Sequence, residues 1–439
     1  MSDGKRAVII GGSMAGLLAA AAVAPFFAQV LILERDTRRE AIAPRKGVPQ
    51  GAHVHGFLAA GRIALEQLLP GIVDDVVAQG GAVGDMLKDA LFYVGKHTRF
   101  VSGDSGIAGL VASRPLLEHV VAGRVAAISR VELRHGVSVG GLVFSGDGRR
   151  VVGVSYSTGG AAPQTLDADL VIDASGRGSR ARQCLQQAGF PLPMQDTLAV
   201  NITYSSCWFR RREPHGAGVR AVFVAPDAAN PVPSGMMEQE GERWIVSCGS
   251  YGDSAAPATL EAFRDYIRRH SAPEIAAVIS QAEAIGAPQR FKYPASVRNR
   301  YDKLSRFPAG YLVTGDALCS FNPVYGQGMT IAAQQALALR DCLAAGGERI
   351  WPAFFRRAAR VVADPWEFAI ASDLALPCVE AKRPVGFALM QRYVDRVMHA
   401  ASRDMAVARA VLRVVHMLDR PTALLAPQVV YRALRAGRA

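Results

Sequence analysis

The sequence predicts an α/β protein in which a parallel-sheet domain is interrupted by an antiparallel β-sheet domain and followed by a helical C-terminal region. Three observations carry that reading. Ala7 to Arg35, AVIIGGSMAGLLAAAAVAPFFAQVLILER, runs as strand, tight turn, helix and strand. Leu198 to Cys248 holds the apolar runs LAVNITYSSCWF, AVFVAP and RWIVSCGS, separated by Pro, Gly, Asp and Asn turns, as antiparallel strands require. Tyr311 to Leu343 returns to a strand, a loop and a long helix, and from Trp351 the pattern is helical and Arg-rich. The expected division is a first part of the parallel-sheet domain over 1–180, the inserted sheet domain over 181–290, completion of the first domain over 291–350 and the helical region over 351–439.

The first unit justifies itself residue by residue. AVII is the short apolar run of a strand covered on both faces, and Gly11-Gly12-Ser13-Met14-Ala15-Gly16 turns the chain into a helix. Met14, Leu17, Leu18 and Ala21 recur at offsets of three and four, giving one apolar face before Pro25 stops the helix. A helix N-terminus leaves N–H groups unpaired and carries about half a positive charge, so a pyrophosphate fits where no side chain blocks it. Gly11 and Gly16 hold the outer places of the G-x-G-x-x-G fingerprint, Ser13 takes the middle one, and Glu34 ends the second strand where a ribose hydroxyl would be bonded. The domain is therefore read as Rossmann-like. Lys5-Arg6 ahead of a long apolar run would also suit a signal peptide or a membrane span. The Gly-Gly-Ser interruption and the ordered VLILER after it fit a folded βαβ unit better.

Composition narrows the function classes. The chain has 439 residues, half of them hydrophobic, which is enough for a large core and two or three domains. Its formal charge of +12 favours anionic partners, dinucleotides included, but the arginines are scattered and no zinc-finger spacing or RNP-type motif is present, so nucleic acid is not expected. None of the six cysteines forms C-x-x-C, and the nine histidines show neither H-E-x-x-H nor Cys/His clustering. Free thiols in a cytoplasmic protein without a metal follow, and redox chemistry would have to come from an organic cofactor.

Pro44 to Gly56, PRKGVPQGAHVHG, is a long loop, in which Arg45 could reach a cofactor phosphate while His53 and His55 sit where a ring or sugar chain passes. Ser113-Arg114-Pro115 starts a helix and puts Arg114 at its N-terminus. Gly146-Asp147-Gly148 is a hairpin turn between short strands, and LVIDASGRGSR is a buried strand leading into a second backbone loop at the carboxyl edge of the parallel sheet. The late loop GDALCSFNPVYGQGM holds Asp316, Pro323, Gly326, Gln327, Gly328 and Met329 ahead of a helix start. One ligand can join this loop to the first turn. A flavin dinucleotide is long enough to lay its pyrophosphate on the first turn, offer ribityl hydroxyls to Asp316 and rest its ring against Pro323 to Met329, with helix N–H groups facing the charge of the reduced ring.

GGSMAG, LERD, GVPQGAHVHG, ASRPLLEH, DASGRGSR and GDALCSFNPVYGQGM, in this order, resemble the FAD-dependent monooxygenases of the para-hydroxybenzoate hydroxylase-like superfamily. The GVPQG-x-H-x-H segment and NPVYGQGM look closest to the branch of squalene and polyether epoxidases and natural-product tailoring oxygenases. The resemblance implies that Gly11, Ser13, Met14, Ala15 and Gly16 hold the pyrophosphate of FAD, Glu34 the adenosine ribose, and Arg35, Arg45 and Arg114 further parts. It implies that Asp316 binds the ribityl chain, with Pro323 and Gly326 to Met329 beside the ring. Departures bear on function: Gly315-Asp316-Ala317-Leu318-Cys319 stands where many aromatic hydroxylases have GDAAH, so phenol hydroxylation is not favoured, and the W-x-W-x-I-P motif of halogenases is missing.

The leading expectation is a monooxygenase, with NADPH or NADH as electron donor. Reduced FAD adds O2 as a C4a-hydroperoxide that gives one oxygen to an alkene or electron-rich carbon of an apolar small molecule. The protein would then supply a dry pocket, for which Trp208, Phe321, Tyr325 and Trp366 are the aromatic candidates. No catalytic acid–base pair is assigned. An FAD-dependent reductase or dehydrogenase acting on an isoprenoid or polyketide-like substrate is the rival, and a flavin-binding protein with a non-redox role is the alternative from another class. The C-terminal region is expected to cap the pocket, with a homodimer or a peripheral membrane contact as the other uses of its Arg-rich helices.

Overall fold

The computed structural model describes residues 4–38, 41–45, 47–212, 218–252, 256–346 and 349–436. Five parallel strands, β1 (Arg6–Ile10), β2 (Gln29–Glu34), β3 (Val131–His135), β4 (Leu170–Asp173) and β5 (Tyr311–Val313), form one sheet in the order β5-β4-β1-β2-β3. The apolar runs of β1, β2, β4 and β5 are covered on both faces, which is why they read as unbroken hydrophobic stretches, whereas the edge strand β3, VELRH, is partly exposed. The last strand comes from far along the chain: Val171 pairs with Tyr311 and Asp173 with Val313, closing the sheet across the inserted segment.

Helix α1 (Met14–Val23) differs from the one-faced helix expected from its spacing. Leu17, Leu18 and all four alanines from Ala19 to Ala22 are buried. The cause is its position between the sheet and helix α4 (Gly328–Ala344). A helix covered on every side is apolar all round, and alanine allows the close approach. Helix α2 (Ala59–Leu68) packs on α4 with Gly61 against Thr330, where an added Cβ would lie 2.4 Å from the threonine Oγ1. Helix α3 (Arg114–Ala126) starts as expected, with Ser113 Oγ accepting from Leu116 N at 3.1 Å and Pro115 in the first turn.

The second sheet has eight strands, in the order Cys319–Ser320, Ala284–Asn299, Gln195–Arg210, Arg243–Tyr251, Ser234–Gln239, Ala221–Ala225, Ala90–Val94 and Thr98–Arg99. It is antiparallel except where Ala221–Ala225 runs parallel to Ala90–Val94. Two of its strands thus come from within 1–180, and two from beyond residue 283. The insertion is continuous in space but not in sequence, because sheet pairing reaches across the chain wherever apolar edges meet. One face is covered by helices Leu260–His270 and Pro273–Gln281 through Phe263, Ile267, Ile275 and Ile279. The other face looks toward the parallel-sheet domain.

Helix α5 (Ile350–Leu374) lies on the first domain through Phe354, Phe355, Val362 and Trp366. Its last residue, Leu374, and the segment after it, with Leu376 and Val379, cover Tyr204, Tyr251 and Tyr293 of the large sheet. The final helices, Phe387–Ala401, Met405–Val415 and Pro427–Ala436, pack on Met86, Leu87, Phe100 and Ile107. His416 ties them down, its Nδ1 accepting from Ala59 N at 3.2 Å and its carbonyl from Ala60 N at 3.2 Å, so it caps α2. Among the described residues no helix is long and apolar enough to cross a membrane.

Candidate functional site

The first βα turn is built so that only glycine fits. Gly11 has φ +101°, and a Cβ there would lie 2.7 Å from Ala174 O; a Cβ on Gly16 would lie 1.8 Å from Gly11 O. Ser13 is the N-cap in extended conformation, yet its hydroxyl does not cap the helix and donates instead to Glu118 Oε1 at 2.7 Å. The first N–H groups of α1 therefore keep no partner within the helix, and its first turn carries no acidic residue. Glu34, 5% exposed, accepts from Gly12 N at 2.7 Å and from Asp36 N at 2.9 Å, so its carboxylate holds the glycine turn in place.

A compact charge cluster surrounds that turn. Arg45 reaches Asp36 at 2.8 Å, Glu34 at 3.3 Å and Glu118 at 3.3 Å, and donates to Gly12 O. Arg114 pairs with Glu118 at 3.0 Å and donates to Ser13 Oγ at 3.2 Å. Burial pushes the Glu118 carboxyl up, but Arg114 and Arg45 bring it below its ordinary value, so it stays ionised. Arg35 is exposed and acts on this cluster through its charge on Asp36. Glu118 was not among the residues singled out from sequence, although its spacing of four from Arg114 on a helix is a readable signal.

The late loop meets the first turn directly. Gly315 has φ +63°, and a Cβ there would lie 2.7 Å from the Ala15 Cβ; a Cβ on Gly328 would lie 3.8 Å from Asp316 Oδ1. Gln335 of α4 fixes the turn, its Oε1 accepting from Thr314 Oγ1 and Gly315 N, both at 2.8 Å. Burial raises the Asp316 carboxyl, while the charges of Arg114 and Arg177 pull it back. Pro323–Tyr325 forms a 3-10 turn in which Asn322 Oδ1 accepts from Val324 N, and Gly326 at φ +64° redirects the chain into Gln327, the N-cap of α4. Ile331 N donates to Gln327 O, leaving the N–H groups of Gly328, Met329 and Thr330 outside the helical ladder. Gln327 Oε1 and Thr330 Oγ1 are buried without a hydrogen-bond partner. A cradle that a Cβ would fill, two open helix starts and an orphaned Gln327 Oε1 at the second of them fit an elongated, phosphate-bearing ligand with a hydrogen-bonding ring.

The large sheet forms the facing wall. His53 Nδ1 lies 2.6 Å from Ser206 Oγ, which is 2.5 Å from Ser247 Oγ, and Ser247 Oγ accepts from Val54 N at 2.9 Å. The His53 ring lies beside Phe291 and Tyr204, at centroid distances of 5.7 and 6.3 Å. The Arg177 guanidinium lies 5.1 Å from the ring centres of both Phe291 and Tyr293. Burial lowers His53 to about 4, and burial with the Arg114 charge lowers His55 to about 3, so neither is a cation at neutral pH.

The four aromatic candidates divide. Trp208 shares the sheet face of Ser206, with Val54 packed on the same cluster and Arg243 over its ring at 4.8 Å. Tyr325 sits in the 3-10 turn, donating to Asp373 at 2.8 Å. Phe321 and Trp366 pair edge to face at 6.1 Å within the main core, each under 9% exposed. The structure does not bring all four to one pocket. Asp173, expected to lead into a ligand-facing loop, uses both oxygens on its own surroundings, accepting from Ser175 N and Oγ, Ser179 Oγ and Tyr311 OH.

The FAD binding domain family matches residues 5–347. The chain is 32% identical over 433 residues to Protein Rv3254 of Mycobacterium tuberculosis, covering 94% of this chain and 90% of that one. It is 26% identical over 375 residues to a kynurenine 3-monooxygenase of Salinispora arenicola, covering 79% and 74%. Among solved structures, the flavin-dependent brominase Bmp2 superposes with a TM-score of 0.68 at 16% identity, covering 98% of each chain.

Proposed function

The chain belongs to the FAD binding domain family, and from that premise we propose that it is a monooxygenase that transfers one oxygen atom of O2 to an apolar small molecule, by epoxidation or hydroxylation. It is a flavoprotein oxidoreductase. The observation that supports the finer reading is the approach of Gly315 to Ala15, which brings two open helix starts together, with Arg177 over Phe291 of the large sheet also acting on Asp316.

In this reading Gly11 to Gly16 hold the pyrophosphate, Glu34 the adenosine ribose, and Arg45 and Arg114 with Arg35 nearby the charge of the dinucleotide. Asp316 takes the ribityl hydroxyls, and Pro323 with Gly326 to Met329 lies beside the ring. Bound FAD, reduced by NADPH or NADH, supplies the activation of O2 and the oxygen transfer. The chain's own work is to bind, orient and keep water out. The unpaired N–H groups of Gly328, Met329 and Thr330 would stabilise negative charge on the ring by dipoles fixed in advance. Tyr204, Phe291 and Trp208 give this face of the large sheet its aromatic surface, with His53 neutral among them and Arg177 and Arg243 over two of the rings, and that surface is the support for an apolar, natural-product-like substrate. Bmp2 acts as a brominase, but the likeness at 16% identity extends to the fold alone, and this chain lacks the W-x-W-x-I-P motif.

The test is turnover with purified, FAD-loaded protein under labelled dioxygen. One labelled oxygen in the product, with one NAD(P)H consumed, is the expected result. Turnover that proceeds without O2 and leaves no label would replace this reading by a reductase or dehydrogenase.

A further inference from the structure

Beneath the Asn322–Gly328 turn, polar side chains from three parts of the fold converge on one carboxyl. Asp373, in the last turn of α5 and 0% exposed, accepts on Oδ1 from Asn322 Nδ2 at 2.8 Å, Tyr325 OH at 2.8 Å and Tyr251 OH at 3.2 Å. Asn322 Oδ1 accepts in turn from Tyr204 OH at 2.6 Å, and its Nδ2 also donates to Tyr251 OH at 3.1 Å. The large sheet, the turn and α5 are thereby tied through a single oxygen. The second oxygen, Oδ2, is buried with no hydrogen-bond partner.

This is an expensive arrangement for packing alone. A carboxylate removed from water without a counter-charge costs several kcal/mol, and an apolar side chain would fill the position without that cost. The groups that face Asp373 are Tyr204 and Tyr251 from the sheet, Asn322 and Tyr325 from the turn, and the Cys378 thiol from the segment after α5. No salt bridge reaches it among the described residues.

We infer that Asp373 is the positioning residue of the turn that flanks the flavin ring: Oδ1 holds Asn322 and Tyr325, and so the start of α4, while the open Oδ2 lets one proton loosen that hold. The inference rests on the FAD reading above and assigns no bond-making step to Asp373. As a carboxylate, Oδ1 binds its three donors with charge-assisted strength; as an acid, it binds them about half as strongly. Burial pushes the group up to about 6, against the pull of Tyr325, Asn322 and Tyr251. That lies nearer neutrality than His53, His55 and His416, which burial lowers to about 4, 3 and 4, and Asp316 is the other carboxyl at the site that burial raises.

The test uses the full-length protein, titrating the visible absorbance of bound FAD and its dissociation constant from pH 5 to 8. Wild type is expected to show one step near pH 6, with FAD held at least threefold more tightly above it. Asp373→Asn, which keeps an acceptor oxygen but cannot ionise, is expected to bind FAD and lose the step. Tyr325→Phe removes one donor to the carboxylate and is expected to move the step to higher pH. A pH-independent wild type, a step that survives in Asp373→Asn, or one that stays in place in Tyr325→Phe would overturn the inference and leave the FAD reading intact. A wild-type protein that binds no FAD would sink both.

Discussion

Removing the charge of Glu118 while keeping its shape tests whether the cluster at the first turn is built for an anion. Glu118→Gln leaves Arg45 and Arg114, whose side chains are 19% and 15% exposed, without their shared carboxylate. Each pair, at 3.3 and 3.0 Å, is worth about 5 kcal/mol of gross attraction at an effective dielectric of about 20. Breaking a buried pair by deleting one partner costs about 3–5 kcal/mol net. An unfolding entropy of about 2.1 cal/mol/K per residue over 439 residues comes to about 0.9 kcal/mol/K, so the apoprotein should melt about 3–5 °C lower. The second half of the prediction has the opposite sign. Glu34, Asp36 and Glu118 set three negative charges against two arginines, and the substitution makes the cluster neutral. A diphosphate then meets less repulsion and finds two guanidiniums short of a partner, so the rise in melting temperature on adding FAD should be at least as large as in wild type. Thermal unfolding with and without saturating FAD measures both. An apo melting temperature within 1 °C of wild type, or loss of the FAD-induced rise, would refute the reasoning.

Two further perturbations follow from the same geometry. Gly16→Ala places a Cβ 1.8 Å from Gly11 O, a backbone atom that moves only if the turn opens, so protein purified with excess FAD should come out colourless; a yellow variant with wild-type FAD content would count against the cradle. His416, held neutral by burial at about 4 against an ordinary 6.5, has a depressed folded value, so its contribution is complete above pH 6.5 and is lost as pH falls through that value toward 4, at about 1.4 kcal/mol per pH unit. His416→Asn, which keeps an acceptor for Ala59 N, should flatten the fall in stability between pH 7 and 5, and an unchanged pH slope would exclude His416 as its source.

What could be read from the chain was local. Gly11, Gly16 and Gly315 announce themselves because backbone at positive φ or in van der Waals contact admits no side chain, and that requirement is written in the residue type. Unbroken apolar runs likewise mark doubly covered strands. Where the information lies in pairing between distant segments, the sequence is silent. Ala90–Val94 looks like any short strand, and only its parallel partner Ala221–Ala225 puts it in the large sheet. Ser13 and Glu118 meet across a separation of 105 residues, which no periodicity encodes. Asp373 had a signal of another kind, a lone carboxyl in the apolar run FAIASDLAL, but an isolated charge does not say which hydroxyls will turn toward it.

The distribution of unsatisfied polar atoms connects the fold to its use. More than nine in ten buried polar groups in folded proteins find partners, because leaving one unpaired costs about 1–3 kcal/mol. Here Gln327 Oε1, Thr330 Oγ1, Gln335 Nε2 and Asp373 Oδ2 are all buried without one, and they lie along the first turns of α4 or directly beneath the turn that precedes it. The same short stretch carries three backbone N–H groups outside the helical ladder. Trp244 Nε1 and Arg264 Nε are isolated cases elsewhere among the described residues, whereas these four gather about one helix start and the turn before it. The chain accepts that cost next to Gly315 and Asp316, where the first glycine turn arrives from the opposite side. A ring rich in hydrogen-bonding groups, delivered there by a diphosphate anchored on α1, would satisfy the open edge in one binding event, and the binding free energy would include the penalty that the apoprotein carries.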